Sequence, residues 1–343
     1  MDYKEVLKNA RSILSPKCRV CPVCDGRACR GEVPGQGGKG TGATFIRNVE
    51  YLARVKVVLD TLYEDAGQDT SYEIFGRRLS MPAMVAPIGG LVLNYGSDLG
   101  EEAQAERMLI GSDAAHTILF TGDAAFHSAY FGPISAMKRT GILGIPTIKP
   151  WNFELALPRI EAAKEIGVPA IAMDVDAAGL ANVKIGGGTV YPQSVKMLRR
   201  IVEACAPVPL IVKGIMSVRG AQKALEAGAW GIVVSNHGGR VLDHGQATSE
   251  VLPGIRDALG RECGMKIFMD GGIRSGVDVF KAVALGADAV LLGRPAVVAY
   301  FGGGAEGVEL YLNKIRYELE ETMTMTGASK ISDISRDMIV IPH

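Results

Sequence analysis

From Met81 onward, short apolar runs alternate with longer stretches in which apolar positions recur every three to four residues. The runs Ala83–Ala86, Thr117–Phe120, Leu143–Ile148, Ala170–Val175, Leu210–Lys213, Gly231–Val234, Lys266–Met269 and Ala289–Leu292 have the length of strands. Being apolar without alternation, they read as strands covered on both faces. Between them, Glu101–Leu109, Phe153–Ile166, Ser194–Ala204, Arg219–Ala227 and Gly276–Ala284 have the spacing of amphipathic crossover helices. Eight strands joined by right-handed helical crossovers predict a parallel sheet closed into an α/β fold of the (β/α)8 TIM-barrel type. An open, doubly wound sheet is the competing arrangement, and no G-x-G-x-x-G follows the first strand to support it.

Upstream, Val6, Leu7, Ala10, Ile13 and Leu14 predict a short amphipathic helix over residues 3–15, ended by Pro16, and a second helix is predicted from Phe45 to Leu52. The chain thus divides into an N-terminal helical, Cys/Gly-rich extension over residues 1–75 and a barrel with a C-terminal helix over residues 76–343.

In such a barrel the chemistry sits just beyond the carboxyl ends of the strands, and polar residues collect there repeatedly. Ala86-Pro87-Ile88-Gly89 closes the first run, Asp174-Val175-Asp176 the fourth, and Lys213 the fifth. The sixth opens into Ser235-Asn236-His237-Gly238-Gly239-Arg240, the seventh into Asp270-Gly271-Gly272-Ile273-Arg274, and the eighth into Gly293-Arg294-Pro295. An imidazole and a guanidinium three residues apart on a glycine-bearing loop can converge on one small anion, the first taking a proton and the second gripping a carboxylate. The loops after strands seven and eight are where barrels hold phosphate through glycine N–H groups, and Arg274 and Arg294 add charge there. A cofactor carrying a phosphomonoester follows from these positions.

Charge narrows the partners. Lys plus Arg and Asp plus Glu both number 37, so no global field recruits nucleic acid or a membrane surface, and the expected partner is a small molecule. No apolar run approaches a membrane span and the first residues carry no apolar signal core, which points to the cytoplasm. Cysteine usage adds a separate feature: Cys18, Cys21, Cys24 and Cys29 fall within twelve residues in a C-x2-C-x2-C-x4-C pattern, beside a glycine-rich tract from Pro34 to Gly42. The spacing is close to that of iron–sulfur ligands, and C-x2-C is also a zinc hook, so either metal is expected ahead of a structural disulfide. Unligated thiols are the plain alternative.

The loop Ser235–Arg240, with Asp270–Arg274 and Gly293–Pro295, resembles the FMN-dependent 2-hydroxy-acid oxidase and dehydrogenase family, which includes glycolate oxidase, lactate oxidase and mandelate dehydrogenase. The likeness extends through Gly76–Leu79, Met84–Pro87, Ile211–Gly214, Thr322-Met323 and Asp333–Arg336, roughly residues 41 to 341. The resemblance implies FMN across the barrel mouth, held by Ala86, Pro87, Ile88, Gly89, Thr121, Ser235, Asp270, Gly271, Gly272, Arg274, Gly293 and Arg294, with Lys213 at the N1/O2 edge of the ring. It also implies His237 as the base, oriented by Asp176, Arg240 as the anchor of the substrate carboxylate, and assembly into a homo-oligomer, tetramer or octamer.

The departures are as informative. Ile148 and the tract near Gly35 stand where the family carries two tyrosines, and residues 177–182 offer no arginine after Asp176. Asp174 replaces a threonine and could accept from the flavin N3–H. These changes admit a flavin-dependent NAD(P)H oxidase as a second reading, with a type 2 isopentenyl diphosphate isomerase and a thiol- or metal-sensing flavoprotein behind it.

Overall fold

Eight short parallel strands close on themselves in chain order: β1 (Ala83–Ile88), β2 (Leu119–Thr121), β3 (Ile145–Ile148), β4 (Ile171–Asp174), β5 (Leu210–Ile215), β6 (Gly231–Val234), β7 (Lys266–Met269) and β8 (Ala289–Leu292), with β8 pairing back onto β1. This is the (β/α)8 barrel that the alternation predicts. The computed structural model describes residues 1–33, 35–96 and 99–342; Pro34, at the head of the glycine-rich tract, lies outside them. β2 starts later than its apolar run because the Thr117 N–H bonds to Ser112 O (2.9 Å) and closes the preceding helix instead. β5 runs on past Lys213 through a register shift between Lys213 and Ile215.

The helices are α1 (Tyr3–Leu14), α2 (Ala43–Arg54), α3 (Leu91–Tyr95), α4 (Glu101–Ala114), α5 (Ser128–Thr140), α6 (Phe153–Glu165), α7 (Ala181–Ile185), α8 (Val195–Cys205), α9 (Val218–Glu226), α10 (Thr248–Leu259), α11 (Gly276–Leu285) and α12 (Arg294–Thr324). In α5 and α10 an internal proline, Pro133 or Pro253, blurs the helical pattern in sequence. Inside the barrel Met84, Phe120, Ile145, Ile211, Val233, Phe268 and Leu291 fill the axis, and a hairpin of Tyr72–Ile74 with Arg77–Leu79 plugs the amino-terminal end. The opposite, carboxyl-terminal mouth is the one left to hold a ligand.

The extension does not stand apart from the barrel. Val6, Ala10 and Leu14 on α1 join the same buried cluster as the barrel's outer layer, and α1 begins in a capping box between Asp2 and Glu5. It lies against α12 at Gly302, where a Cβ would come within 2.0 Å of Val6 O. After α1 the chain crosses the barrel mouth before entering α2, and Lys56-Val57 then pairs antiparallel with Ile339-Val340 near the other end of the chain. No helix of the described residues is long and apolar enough to cross a membrane.

Candidate active site

The turn after β6 is held in a costly shape. His237 has φ of 56°, in the left-handed region that suits glycine. Its N–H bonds to Ser235 Oγ at 3.1 Å. Asn236 and Asn48 exchange two side-chain hydrogen bonds of 2.8 Å, and Asn236 Oδ1 also accepts from Gly239 N at 3.1 Å. A buried amide pair therefore ties the turn to α2 and over-determines a conformation that would otherwise relax. The result aims the imidazole and the Arg240 guanidinium into one cavity of about 290 Å³ at the barrel mouth, lined also by Ala86–Gly90, Lys149, Asp174, Lys213, Asp270–Arg274, Gly293 and Arg294.

His237 Nδ1 lies 3.0 Å from Asp176 Oδ1, and Nε2 lies 4.0 Å from Asp174 Oδ2. The approach of Asp176 depends on Gly214, whose φ is 103° and where a Cβ would meet Asp176 Cβ at 2.6 Å. Two buried ammonium groups balance the carboxylates: Lys149 Nζ is 2.6 Å from Asp174 Oδ2, and Lys213 Nζ is 3.0 Å from Ser235 Oγ and 3.4 Å from Asp270 Oδ2. Asp174, Asp176 and His237 are spaced as metal ligands could be, but Lys149 and Lys213 already supply the positive charge.

Burial, reinforced by Lys213 and Lys149, pushes the His237 imidazole well below its usual range, so it is neutral at neutral pH. Burial likewise works against the Asp176 carboxylate, while Lys213 and Lys149 hold it back. For Lys213, desolvation opposes the charge but Asp270, Asp176 and Asp174 outweigh it, holding the ammonium up to about 12. Burial and the neighbouring Arg294 bring Arg240 down to about 10, which leaves the guanidinium charged at neutral pH.

Backbone carbonyls of the crossing arm fix the three guanidiniums. Arg240 Nη1 donates to Gly35 O, and its Nη2 donates to Asn94 Oδ1 at 3.1 Å. Arg274 Nε donates to Cys24 O at 2.9 Å, and Arg294 Nε and Nη2 donate to Gln36 O (2.6 Å) and Gly37 O (3.2 Å). Arg294 also stacks over the Phe45 ring at 3.8 Å. Gly271 and Gly272 have φ of 88° and 92°, which glycine tolerates. A Cβ at Gly293 would find only Ala86 Cβ, at 3.9 Å, so its backbone faces the cavity openly. Asp174 Oδ1 and Asp270 Oδ1 are buried with no hydrogen-bond partner among the described residues. A flat heteroaromatic ring with N–H groups and a ribityl phosphate would meet those orphaned oxygens, the Lys213 ammonium and the arginine pair, so these residues fit FMN.

Most residues anticipated from sequence line this cavity. Asp176 and Ser235 stand behind it, touching His237 and Lys213 instead of the open space. Thr121 is buried at a small adjoining cavity with Ala86 and Ile88. The four amino-terminal cysteines are free and half-buried, and the group spaced to hold a metal among the described residues is Asp174, Asp176 and His237, not these cysteines. Lys149, Asn94 and Tyr95 were not anticipated. Lys149 follows β3 directly, so the strand-end rule that singles out Lys213 points to it equally; Ile148, the position to which the sequence resemblance assigns a tyrosine, is fully buried. Asn94 and Tyr95 sit on the short helix α3, which carries no sequence signal for the site.

A family model described as FMN-dependent dehydrogenase matches residues 35–203 and 187–341. The chain belongs to that family. It is 31% identical to a peroxisomal (S)-2-hydroxyacid oxidase of Arabidopsis thaliana over 86% of this chain and 88% of that protein. It is 31% identical to a 4-hydroxymandelate oxidase of Amycolatopsis orientalis over 90% and 95%, and 30% identical to an L-lactate oxidase of a Roseobacter species over 89% and 88%. Among solved structures, a mandelate oxidase variant with 2-hydroxy-phenylacetamide superposes with a TM-score of 0.80 at 28% identity, covering 99% of this chain and 97% of that one. Membership makes the protein an FMN-dependent enzyme of the hydroxy-acid oxidase and dehydrogenase class.

Proposed function

We propose that the enzyme oxidises a small (S)-2-hydroxy acid of lactate type to the 2-oxo acid. The observation that carries this reading is the convergence of His237 and Arg240 on one cavity, with the imidazole tied through Nδ1 to Asp176 at 3.0 Å. Arg240 binds the substrate carboxylate. Nε2 of the neutral imidazole takes the hydroxyl proton, and the imidazolium so formed is stabilised by Asp176 and Asp174. FMN, when bound, supplies the hydride acceptor at its N5. Lys213 would hold positive charge at the ring edge, and Asp174 Oδ1 and Asp270 Oδ1, buried without a partner among the described residues, would accept hydrogen bonds from the cofactor. Leu93, Phe126, Leu180, Val183 and Ile185 line the cavity and suit an apolar substituent on the hydroxy acid.

Family and relatives favour this reading over the NAD(P)H oxidase and isomerase alternatives. It includes cytoplasmic residence and a homo-oligomeric state, which sedimentation measures. Anaerobic mixing of the flavoprotein with a panel of 2-hydroxy acids, NADH and NADPH tests the chemistry: bleaching by a hydroxy acid is expected, and bleaching by nicotinamides alone overturns it. His237→Ala is expected to lower kcat for the best acid by roughly 10²–10⁴, the usual worth of a general base. Arg240→Lys should chiefly raise KM, because a point charge does not reproduce the planar fork.

A further inference from the structure

Arg240 is held without a counter-charge. Its Nη1 donates to Gly35 O and its Nη2 to Asn94 Oδ1 at 3.1 Å, so the partners the structure gives this guanidinium are a peptide carbonyl and an amide, both neutral. The two lysines of the same cavity are treated differently: Lys149 meets Asp174 at 2.6 Å and Lys213 meets Asp270 at 3.4 Å. An anchor already paired with a carboxylate would have little attraction left for an incoming one.

Asn94 does more than accept from Arg240. Its Oδ1 also accepts from Gly35 N at 3.3 Å, while its Nδ2 donates to Gly90 O at 3.0 Å and Gly89 O at 3.4 Å. Donors face the amide oxygen and carbonyls face the amide nitrogen, so the opposite orientation would set NH2 against the guanidinium and oxygen against oxygen. One side chain joins the arm, the guanidinium and the loop after β1.

That side chain has a firm base. Helix α3 has five residues, too few to be stable alone, and its surroundings fix it. Leu91 is buried, Tyr95 packs on Phe301 of α12 with ring centroids 5.6 Å apart, and the buried Glu101 carboxylate accepts from Gly90 N at 3.2 Å. Gly89 lies so close to the turn after β2 that a Cβ on it would stand 3.1 Å from Asp123 N and 3.2 Å from Asp123 O. The loop is pinned beside Asn94, and the aim of Arg240 is pinned with it.

We propose that Asn94 is the positioning residue of the carboxylate anchor: it aims Arg240 into the cavity, ties that aim to the loop after β1, and does so with a neutral oxygen that leaves the guanidinium charge to the substrate. The inference rests on the reading of Arg240 as the anchor. A carboxylate in place of the amide would accept the same two hydrogen bonds, but it would pair with Arg240, repel the incoming acid and confront the Gly89 and Gly90 carbonyls with like-signed oxygens. An apolar side chain of similar size would remove the orienting bond without adding charge.

Asn94→Asp and Asn94→Leu, each as the FMN-loaded full chain, test this with the best hydroxy acid and with its primary amide, a neutral molecule of the same shape, used as substrate or competitive inhibitor. Asn94→Asp is expected to raise KM for the acid by ~tenfold or more, the worth of a charge-assisted hydrogen bond. Its kcat should change by less than about threefold, as when uniform binding is lost, and its affinity for the amide should hardly move. Asn94→Leu should raise KM for the acid by about three- to tenfold, the worth of a neutral hydrogen bond. Pyruvate titrated against the oxidised flavin reads the anchor without turnover, and its Kd should rise in Asn94→Asp as KM does. Equal losses on acid and amide, an unchanged KM in Asn94→Asp, or loss of FMN and circular dichroism in both variants overturns the proposal. A wild-type flavin that no hydroxy acid reduces, in a chain whose pyruvate binding still weakens in Asn94→Asp, fails the functional reading and leaves the role of Asn94 standing.

Discussion

At the residue scale, the site works by withholding water from charges it then pairs. Desolvation alone would make His237 a poor cation, and the surrounding ammonium groups press the same way, so the imidazole proposed as the base is held in its neutral form. The sign of the pH dependence follows. Free His titrates near 6.5, and the folded imidazole titrates below that, so the competent form persists as pH falls through 6.5. The kcat/KM profile is expected to stay flat through that value and fall only at lower pH; an acid limb centred at or above 6.5 would contradict it. Stability moves in the same window: below 6.5 the unfolded chain takes up a proton that the buried ring refuses, so the fold weakens as pH falls. Gly214 is the most exacting position. With Asp176 Cβ at 2.6 Å from where its own Cβ would be, and φ of 103°, Gly214→Ala should push the carboxylate away from the imidazole. The expected result is a kcat loss of roughly tenfold or more with little change in KM, read in steady-state kinetics on the best hydroxy acid.

Elements carry the site by close approach. The strands themselves are short, all but Ala83–Ile88 and Leu210–Ile215 spanning four residues or fewer, so each positions one polar residue at or just beyond its end and little more. The arm gains its footing differently, through α1 lying on α12. At Gly302 a side chain would come within 2.0 Å of Val6 O and 2.9 Å of Val6 Cγ1, so Gly302→Ala should force the helices apart. Overpacking of this kind costs about 1–3 kcal/mol. Thermal unfolding should show a lowered Tm, and limited proteolysis should cut between α1 and α2 sooner than in the wild type. An unchanged Tm would mean that α1 contributes no stability through this contact.

The whole molecule is arranged so that chain ends and barrel mouth depend on one another. The arm gives carbonyls to Arg240, Arg274 and Arg294, the arginines line the cavity, and Asp243 fastens the end of the arm by accepting from Thr41 N (2.6 Å), Thr41 Oγ1 (2.9 Å) and Ala43 N (3.1 Å). Arg294 joins most of these parts, touching the arm, the Phe45 ring and the cavity. Arg294→Ala should therefore weaken flavin retention tenfold or more through a lost phosphate contact while the barrel stays folded. Flavin content after gel filtration, beside the far-ultraviolet circular dichroism, reads both; full occupancy would remove Arg294 from the phosphate site.

The sequence by itself determined the barrel, because eight buried strands without alternation, separated by amphipathic helices, admit few other closures. It also placed His237, Arg240, Lys213, Asp270, Arg274 and Arg294 at the strand ends, where the structure has them lining one cavity. Only the tertiary structure decided what these groups meet. The Lys149–Asp174 ion pair joins two strand ends that are 25 residues apart in the chain, and the Asn48–Asn236 pair joins residues 188 apart. Neither leaves a periodic trace, because each depends on the distance between elements and not on the pattern within one. The same holds for the cysteines: their spacing marks them as a group, but the hydrogen bond from Arg274 to Cys24 O exists only once α1 has docked on α12 and the arm has been laid across the mouth.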